Sequence, residues 1–119
     1  MEIRNLTQDI ILVELPSEAS QRADELKQVN ETVGAKSNCD VIVDLSNVEI
    51  IHSWNISNLL ILRGMLENAG RRLILCSVNT LTKCIFRVAG LSDVFVFADD
   101  RSAAQELIRN LKAAVSSKS

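Results

Sequence analysis

The stretch Val41-Ile42-Val43-Asp44-Leu45 is a short, almost wholly apolar run in which β-branched residues dominate. Such a run is typical of a strand that is buried on both faces of a sheet. Two further apolar runs follow at 72–78 and 94–98, and helical periodicity lies between and after them. Because strands and helices alternate with connections of only a few residues, we expect right-handed β-α-β crossovers and a parallel sheet.

The residues before this stretch predict an N-terminal hairpin and a first helix. The hairpin strands are predicted at 3–6 and 10–15, and Pro16 ends the second strand because proline donates no backbone hydrogen bond. Apolar residues at helical spacing and a capping glycine predict the helix, namely Ala23, Leu26, Val29, Val33 and Gly34. We therefore predict one α/β domain over 1–115 and a polar tail at 116–119. Its centre is a mostly parallel sheet of four or five strands, accompanied by about four helices.

The three later helices each have a predicted boundary or a predicted buried face. The second helix covers 53–69 and ends at Gly70. Asn79 is predicted to cap the third helix. The apolar stripe of that helix, expected to face the core, consists of Leu81, Cys84, Ile85 and Val88. The last helix is predicted to begin with a capping box at Ser102 and Gln105. Its apolar face consists of Ala104, Leu107, Ile108, Leu111 and Val115.

Composition argues against several classes of function. The chain has 13 Lys plus Arg against 15 Asp plus Glu, a net charge of −2 that gives no electrostatic footprint for nucleic acid. Its apolar runs are far shorter than the roughly 20 residues that cross a bilayer, so we expect no membrane insertion. The first residues, Met1-Glu2-Ile3-Arg4-Asn5, show no basic region followed by an apolar one, so we expect no secretion signal. The three cysteines are odd in number and widely spaced, which predicts reduced thiols, no metal motif and a cytoplasmic chain. Cys76 and Cys84 are expected in the core.

Several stretches of the chain occur in an order that is similar to a known family. The strand Val41-Ile42-Val43-Asp44-Leu45-Ser46 is followed by Ile50-Ile51 and by a helix that contains Ile56 and Leu59-Leu60. Further on come Gly70-Arg71-Arg72-Leu73-Ile74-Leu75-Cys76 and Ala89-Gly90-Leu91-Ser92-Asp93-Val94-Phe95. Together these stretches resemble the STAS domain, the fold of bacterial anti-sigma factor antagonists, over residues 2 to 115. The resemblance implies a regulatory module that binds a protein partner.

One segment departs from the family pattern at the position that matters for regulation. In phosphorylatable STAS proteins, a partner kinase modifies the second hydroxyl residue of an Asp-Ser-Ser/Thr-Gly sequence that opens the second helix. This chain has Trp54 at that position, and an indole has no hydroxyl to accept a phosphoryl group. His52 replaces the acidic residue and Asn55 replaces the glycine, so only Ser53 agrees. The resemblance therefore predicts the fold and a docking site here, without the usual phosphorylation.

Each residue of this segment has a functional interpretation and a structural alternative. Trp54 is either an anchor for a partner or a side chain packed against the edge of the sheet. His52 is a pH-responsive group, a base or a metal ligand, or simply a loop residue, which we favour. Ser53 caps the second helix or is a relocated phosphorylation site, and Ser57 is a weaker candidate site. We predict partner contacts from His52, Ser53, Trp54, Asn55 and Ser57.

The remaining residues predict binding rather than catalysis. The glycines fall singly, so no phosphate-binding loop is present, and no nucleophile–base pair or metal-ligand cluster is evident. Asp44 is expected to be a strand-end residue, and Asp99 and Asp100 are expected to favour the dipole of the last helix. The second helix has more apolar surface than one contact with a sheet requires. One flank of it therefore packs against the third helix or meets a partner.

The sequence thus predicts a cytoplasmic, non-enzymatic binding module without cofactor or metal. The resemblance implies that the partner is an anti-sigma factor with a histidine-kinase-like ATPase fold, or a related switch protein. The alternative is an accessory subunit of a lipid-transport ABC complex or of a stressosome-like scaffold. A homodimer is also left open.

Overall fold

The computed structural model describes residues 2–7, 9–17, 27–32 and 39–116 as a sheet with helices on both faces. The strands are β1 (Glu2–Asn5), β2 (Ile10–Glu14), β3 (Asp40–Asp44), β4 (Leu73–Cys76) and β5 (Val96–Ala98). The helices are α1 (27–32), α2 (Ser53–Asn68), α3 (Thr80–Val88) and α4 (Arg101–Ser116). Of the residues predicted for the first helix, Val29 is described and buried. Ala23, Leu26, Val33 and Gly34 lie outside the described residues.

The strand order is β1-β2-β3-β4-β5, with β1 antiparallel to β2 and all other pairs parallel. The predicted hairpin and the predicted parallel sheet are therefore confirmed. The register aligns Leu12, Ile42 and Ile74 across the three central strands. Because alternate residues of a strand point to opposite faces, these side chains share one face and their neighbours share the other. Every residue of β3 is buried, as its composition predicts.

Two apolar clusters form the core, one on each face of the sheet. The larger cluster packs α1, α2 and α3 against the sheet and includes Val29, Val43, Leu59, Leu62 and Phe86. The smaller cluster lies under α4. It contains Ile10, Leu12, Ile42, Ile74, Cys76, Ala104 and Ile108. The apolar face predicted for α4 is buried at Ala104 and Ile108, whereas Leu111 is partly exposed. The side chain of Val115 lies outside the described residues.

The predicted buried face of α3 is wrong at three of its four residues. Leu81 is 51% exposed and Val88 is 89% exposed, and Cys84 is exposed as well. The residues that α3 buries are Thr82 and Phe86. The ring of Phe86 meets the rings of Phe95 and Phe97 edge to face, at centroid distances of 5.4 and 5.5 Å. Since aromatic side chains bury the most area, this three-ring contact fixes the helix. Of the predicted stripe, Leu81, Cys84 and Val88 therefore face outward, whereas Ile85 packs partly against the larger core cluster.

The predicted start of α4 is also displaced. The side chain of Asp100 accepts a hydrogen bond from the backbone N–H of Ala103 at 2.8 Å, and its carbonyl accepts from Ala104. Asp100 is therefore the capping residue, and the predicted capping box at Ser102 lies within the helix. A carboxylate at this position also favours the helix dipole, as expected for Asp100. The shift places Arg101 in the first turn of α4, beside the carboxyl ends of the central strands.

Candidate functional site

The candidate site lies where the central strands end and α2 begins. The loop from 45 to 52 leaves β3 at the same edge at which the chain leaves β4, and Leu45 donates a backbone hydrogen bond to Cys76. The backbone N–H of Ser46 donates to Oδ1 of Asp44 at 2.8 Å, which turns the chain at the strand end. The carboxyl edge of a parallel sheet is the usual position for ligand and partner sites.

The first turn of α2 is held by Asn55. His52 occupies the N-cap position with an extended backbone. The side-chain oxygen of Asn55 accepts a hydrogen bond from the backbone N–H of His52 at 3.2 Å. Ser53 is the first helical residue, so the prediction that it caps the helix is wrong, and its carbonyl accepts from the hydroxyl of Ser57 at 3.1 Å. Asn55 is fully buried. It therefore supports the turn from inside and presents no surface to a partner, contrary to its predicted contact role.

The surface of this turn is aromatic. Trp54 is 48% exposed, and its ring stacks on the ring of His52 at 4.6 Å between centroids and 3° between planes. Ser53 and Ser57 are exposed beside it, while His52 is half-buried. The indole thus presents one face to solvent and is supported from below by the imidazole. A large aromatic side chain that is held in place but not buried matches the anchor interpretation better than the packing alternative.

An apolar groove adjoins this turn, between α2 and α3. It has a volume of about 400 Å³, and none of its lining residues is charged. The lining consists of Ser53, Ile56, Cys84, Ile85, Val88 and Ala89. Other large exposed apolar side chains of the two helices are Trp54, Leu60, Ile61 and Leu81. The outward stripe of α3 therefore adds to the apolar flank of α2 that the sequence predicts. Exposed apolar surface of this kind is typical of protein interaction sites.

Asn79 connects the loop before α2 to the start of α3. Its side-chain oxygen accepts from the backbone N–H of Thr82 at 2.7 Å, which confirms the predicted cap. Its amide nitrogen donates to the carbonyls of Val48 and Glu49 at 3.1 and 3.0 Å. Sequence reasoning missed this second role because the loop carbonyls are about 30 positions away in the chain. The one side chain therefore fixes both the helix and the loop that precedes Trp54.

We expect two substitutions of Asn79 to separate these roles. Asn79→Asp keeps an oxygen for the N–H of Thr82 but loses both donated bonds, whereas Asn79→Ala loses everything. Hydrogen exchange of the amides at 48–52 should accelerate in both variants. The amide of Thr82 should lose protection only in Asn79→Ala, which should also lose about 1 kcal/mol of stability. Equal protection of the loop in the wild type and Asn79→Asp would contradict the tether.

A charged cluster closes the carboxyl edge of the sheet. The guanidinium of Arg101 donates through Nε to Oδ2 of Asp44, and through Nη2 to Glu14 at 2.9 Å. Asp44 is almost fully buried. Burial opposes its ionisation, but hydrogen bonds from Arg101 and Ser46 outweigh that effect and hold the pKa of Asp44 below its usual value. The pKa of Arg101 is raised, chiefly by its bond to Asp44. Asp44 is therefore part of an ion pair rather than only a strand-end residue.

Arg101 is the functional neighbour that sequence reasoning missed. An arginine at the start of a helix gives no signal in the sequence, and it opposes the helix dipole there. The only available indication is that Glu14 and Asp44 both end strands that lie side by side in a parallel sheet. Two adjacent carboxylates at one edge of the sheet predict a cation beside them, but no pattern in the sequence indicates which residue supplies that cation.

Two thiols in the described core are packing groups. Burial, together with the nearby charge of Asp44, raises the pKa of the Cys76 thiol to about 11, so it is protonated at neutral pH. Cys39 is buried as well. Within residues 2–7, 9–17, 27–32 and 39–116, no group of three or more His, Cys, Asp or Glu side chains is arranged to hold a metal ion. In the same residues, no helix has the length and apolar content of a membrane span.

Comparison with known proteins gives a consistent result. The model of the STAS domain family matches residues 7–104. The structure of a variant of RsbS from Moorella thermoacetica is similar at 14% identity, with a TM-score of 0.82 over 94% of this chain and 97% of that one. The Bacillus anti-sigma factor antagonist SpoIIAA in its phosphorylated form is 16% identical, with a TM-score of 0.70 over 89% and 97%.

A transporter protein shares the fold as well. A sulfate transporter family protein from Wolinella succinogenes is 19% identical, with a TM-score of 0.71 over 92% of this chain and 93% of that one. A search of curated protein sequences finds no significant match. At these identities the likeness of the solved structures concerns the fold alone.

Proposed function

The chain belongs to the STAS domain family, and we propose that it is a cytoplasmic binding protein of the anti-sigma factor antagonist type, without enzymatic activity. The observation that carries this proposal is the half-exposed Trp54, which stacks on His52 at the start of α2. The resemblance to phosphorylatable antagonists implies that Trp54 stands where those proteins carry their regulatory hydroxyl, which supports docking at this position. We propose that His52, Ser53, Trp54 and Ser57 contact the partner there.

The surroundings of Trp54 support a role in docking. The uncharged groove between α2 and α3 begins at Ser53 and gives a partner an apolar surface next to the indole. Asn55 and Asn79 hold the backbone on both sides of the turn through buried or tethering hydrogen bonds. A contact residue held on a rigid turn loses little conformational entropy when it binds. The partner class that follows from the resemblance is an anti-sigma factor with a kinase-like ATPase fold.

We propose further that the interaction is constitutive. The indole of Trp54 offers no oxygen for phosphoryl transfer. Ser53 and Ser57 are exposed, but the hydroxyl of Ser57 donates to a carbonyl of its own helix. Because both hydroxyls are accessible, phosphorylation of Ser53 or Ser57 is the interpretation that competes with constitutive binding. The following experiment detects it.

A phosphorylation assay with a gain-of-function variant tests this proposal. The wild-type chain, Trp54→Ser and Trp54→Ala are each incubated with a candidate anti-sigma kinase and ATP, and their intact masses are recorded. We expect phosphate only on Trp54→Ser, and we expect its phosphorylated form to lose the partner. The Trp54→Ala variant controls for the loss of the ring. Stoichiometric phosphate on residues 52–57 of the wild type, with loss of binding, would refute constitutive docking.

The alternative is a subunit of a lipid-transport ABC complex or of a stressosome-like scaffold. The exposed aliphatic stripe of α3 favours it, since a side chain as exposed as Val88 suits a surface that is covered permanently in an assembly. A homodimer that uses the same stripe is a further form of this alternative. Purification of the tagged chain from its native cytoplasm separates these functions: an ABC ATPase would support the alternative and an anti-sigma factor the main proposal.

A further inference from the structure

A second groove lies at the edge of the sheet opposite to Trp54, where β4 and β5 begin. The 16 residues of α2 span about 24 Å, and this groove lies beside the last turns of that helix. Its volume is about 260 Å³. The lining includes three arginines, one carboxylate and several aliphatic side chains, among them Arg63, Glu67, Arg71, Arg72, Val96 and Leu111. It shares no lining residue with the groove between α2 and α3.

The groove exists because β5 starts late. Ile74 pairs with Val96, so Leu73, the first residue of β4, has no partner in β5. The chain before Val96 turns away instead: Val94 donates its backbone N–H to Leu91 at 3.1 Å, and Phe95 is buried in the core. The strand predicted at 94–98 is therefore shortened at its start. This leaves a notch beside β4 in which a strand is missing.

The outer side of β5 is open as well. β5 is the last strand of the sheet, and among the described residues no strand or loop makes backbone hydrogen bonds to its outer edge. Val96 is 45% exposed, and Leu111 of α4 is exposed beside it. An uncovered edge strand offers unpaired backbone N–H and C=O groups to another extended chain. The two exposed aliphatic side chains offer a pocket to the alternate residues of such a chain.

The groove also carries one cation that the described residues do not neutralise. Arg63 pairs with Glu67 at 3.2 Å, and Arg71 pairs with the buried Asp40 at 3.4 Å. The backbone N–H of Arg72 donates to Asp40, but the guanidinium of Arg72 makes no hydrogen bond or ion pair with a described residue. A guanidinium at the rim of an apolar groove binds carboxylates through charge-assisted, often bidentate hydrogen bonds.

We propose that this groove binds an extended acidic segment of a partner protein by strand addition. The segment pairs its backbone with the outer edge of β5, and one of its ends turns into the notch beside the start of β4. Its aliphatic side chains contact Val96 and Leu111, and a carboxylate binds Arg72. The open edge indicates an extended backbone, the exposed Val96 and Leu111 indicate aliphatic side chains, and the cation that no described residue neutralises indicates a carboxylate. The site is separate from the docking surface at Trp54, so the two proposals stand or fall separately.

An NMR titration of the isotope-labelled full chain tests the proposal. The probes are the blocked peptides acetyl-Glu-Val-Glu-Val-Glu-amide and acetyl-Lys-Val-Lys-Val-Lys-amide, which share their length and valines and carry opposite charges. We expect saturable shifts from the acidic peptide at the amides of 72–74 and 94–98, with a dissociation constant of about 1 mM or lower. The lysine peptide should bind at least about tenfold more weakly, as expected for the loss of a charged hydrogen bond.

Matched variants locate the binding determinant. Arg72→Glu should abolish the shifts, and Arg72→Lys should retain part of the affinity. Lys27→Glu, an exposed substitution on α1 that lines neither groove, and Trp54→Ala should both leave the shifts unchanged. Equal binding of the two peptides, shifts confined to the groove between α2 and α3, or the same shifts with free glutamate alone would overturn the proposal. The proposal would also be overturned if the shifts from the acidic peptide did not saturate at several times the expected dissociation constant of about 1 mM.

Discussion

Arg101→Ala is expected to lower the free energy of unfolding at pH 7 by about 2 kcal/mol. The substitution removes the cation from a buried carboxylate, since the side chain of Asp44 is 3% exposed while that of Arg101 is 36% exposed. Breaking a fully buried pair costs more, and the partial exposure of Arg101 reduces the expected loss. Equilibrium unfolding in urea measures it. Arg109→Ala, an exposed arginine on the same helix, is the matched control and should change stability by less than about 0.5 kcal/mol.

The pH dependence gives this prediction a second readout. In the wild type the pKa of Asp44 is lowered, so its stabilisation is complete above the pKa of an unfolded aspartate, about 3.9, and is lost as pH falls through the lower folded value. Without Arg101, we expect the pKa of Asp44 to rise, because burial then opposes ionisation with fewer compensating hydrogen bonds, and protonation should relieve the folded state. The difference between the two proteins should therefore shrink as pH falls from 7 towards 4. A constant difference would show that Arg101 acts by packing rather than by charge.

Trp54→Ala is expected to weaken binding of an anti-sigma-type partner by about 2 kcal/mol, or roughly 30-fold in the dissociation constant. The indole is the largest exposed aromatic surface of α2 and is supported by His52, so its truncation removes contact area and leaves the partner's pocket unfilled. The free energy of unfolding should change little, because nearly half of the side chain is already in solvent. Titration calorimetry and urea unfolding measure the two effects.

Ile61→Ala provides the matched control for Trp54. Ile61 is an exposed apolar residue on the same helix, about two turns further along. If docking is concentrated at the start of α2, this variant should lose much less affinity than Trp54→Ala. Equal losses would move the docking surface to the middle of the helix. A large loss of stability in Trp54→Ala with unchanged affinity would make the indole a packing residue.

The strands of this fold could be predicted because their chemistry is local. The run from 41 to 45 is apolar at every position except Asp44, and only a central strand buries both of its faces in this way. The orientation of α3 could not be predicted from its own periodicity. Its aliphatic stripe is the more apolar side, but Phe86 has two aromatic partners that follow it in the chain and meet it only in the folded state. The periodicity of α3 favours burial of its aliphatic stripe, but the tertiary contacts of Phe86 bury the opposite face.

In the candidate site too, local features could be predicted from the sequence and long-range contacts could not. The start of α2 and the position of Trp54 could be predicted, because they follow from a strand, a loop and a helix in sequence order. The tether from Asn79 and the ion pair of Arg101 with Asp44 could not, since both join residues about 30 or more positions apart. Polar contacts of this kind depend on detailed geometry, and hydrophobic periodicity carries no information about them.

Tryptophan fluorescence tests docking at α2 without any substitution. The wild-type chain is titrated with a purified anti-sigma kinase, once with ATP and once with ADP. Trp54 is the single tryptophan, so a partner that lacks tryptophan leaves its emission as the only indole emission in the sample. We expect a saturable change in that emission, at a dissociation constant that is the same with ATP and with ADP. Saturable binding by calorimetry that leaves the emission of Trp54 unchanged, or binding that ATP abolishes, would show that the chain docks elsewhere or is still under covalent control.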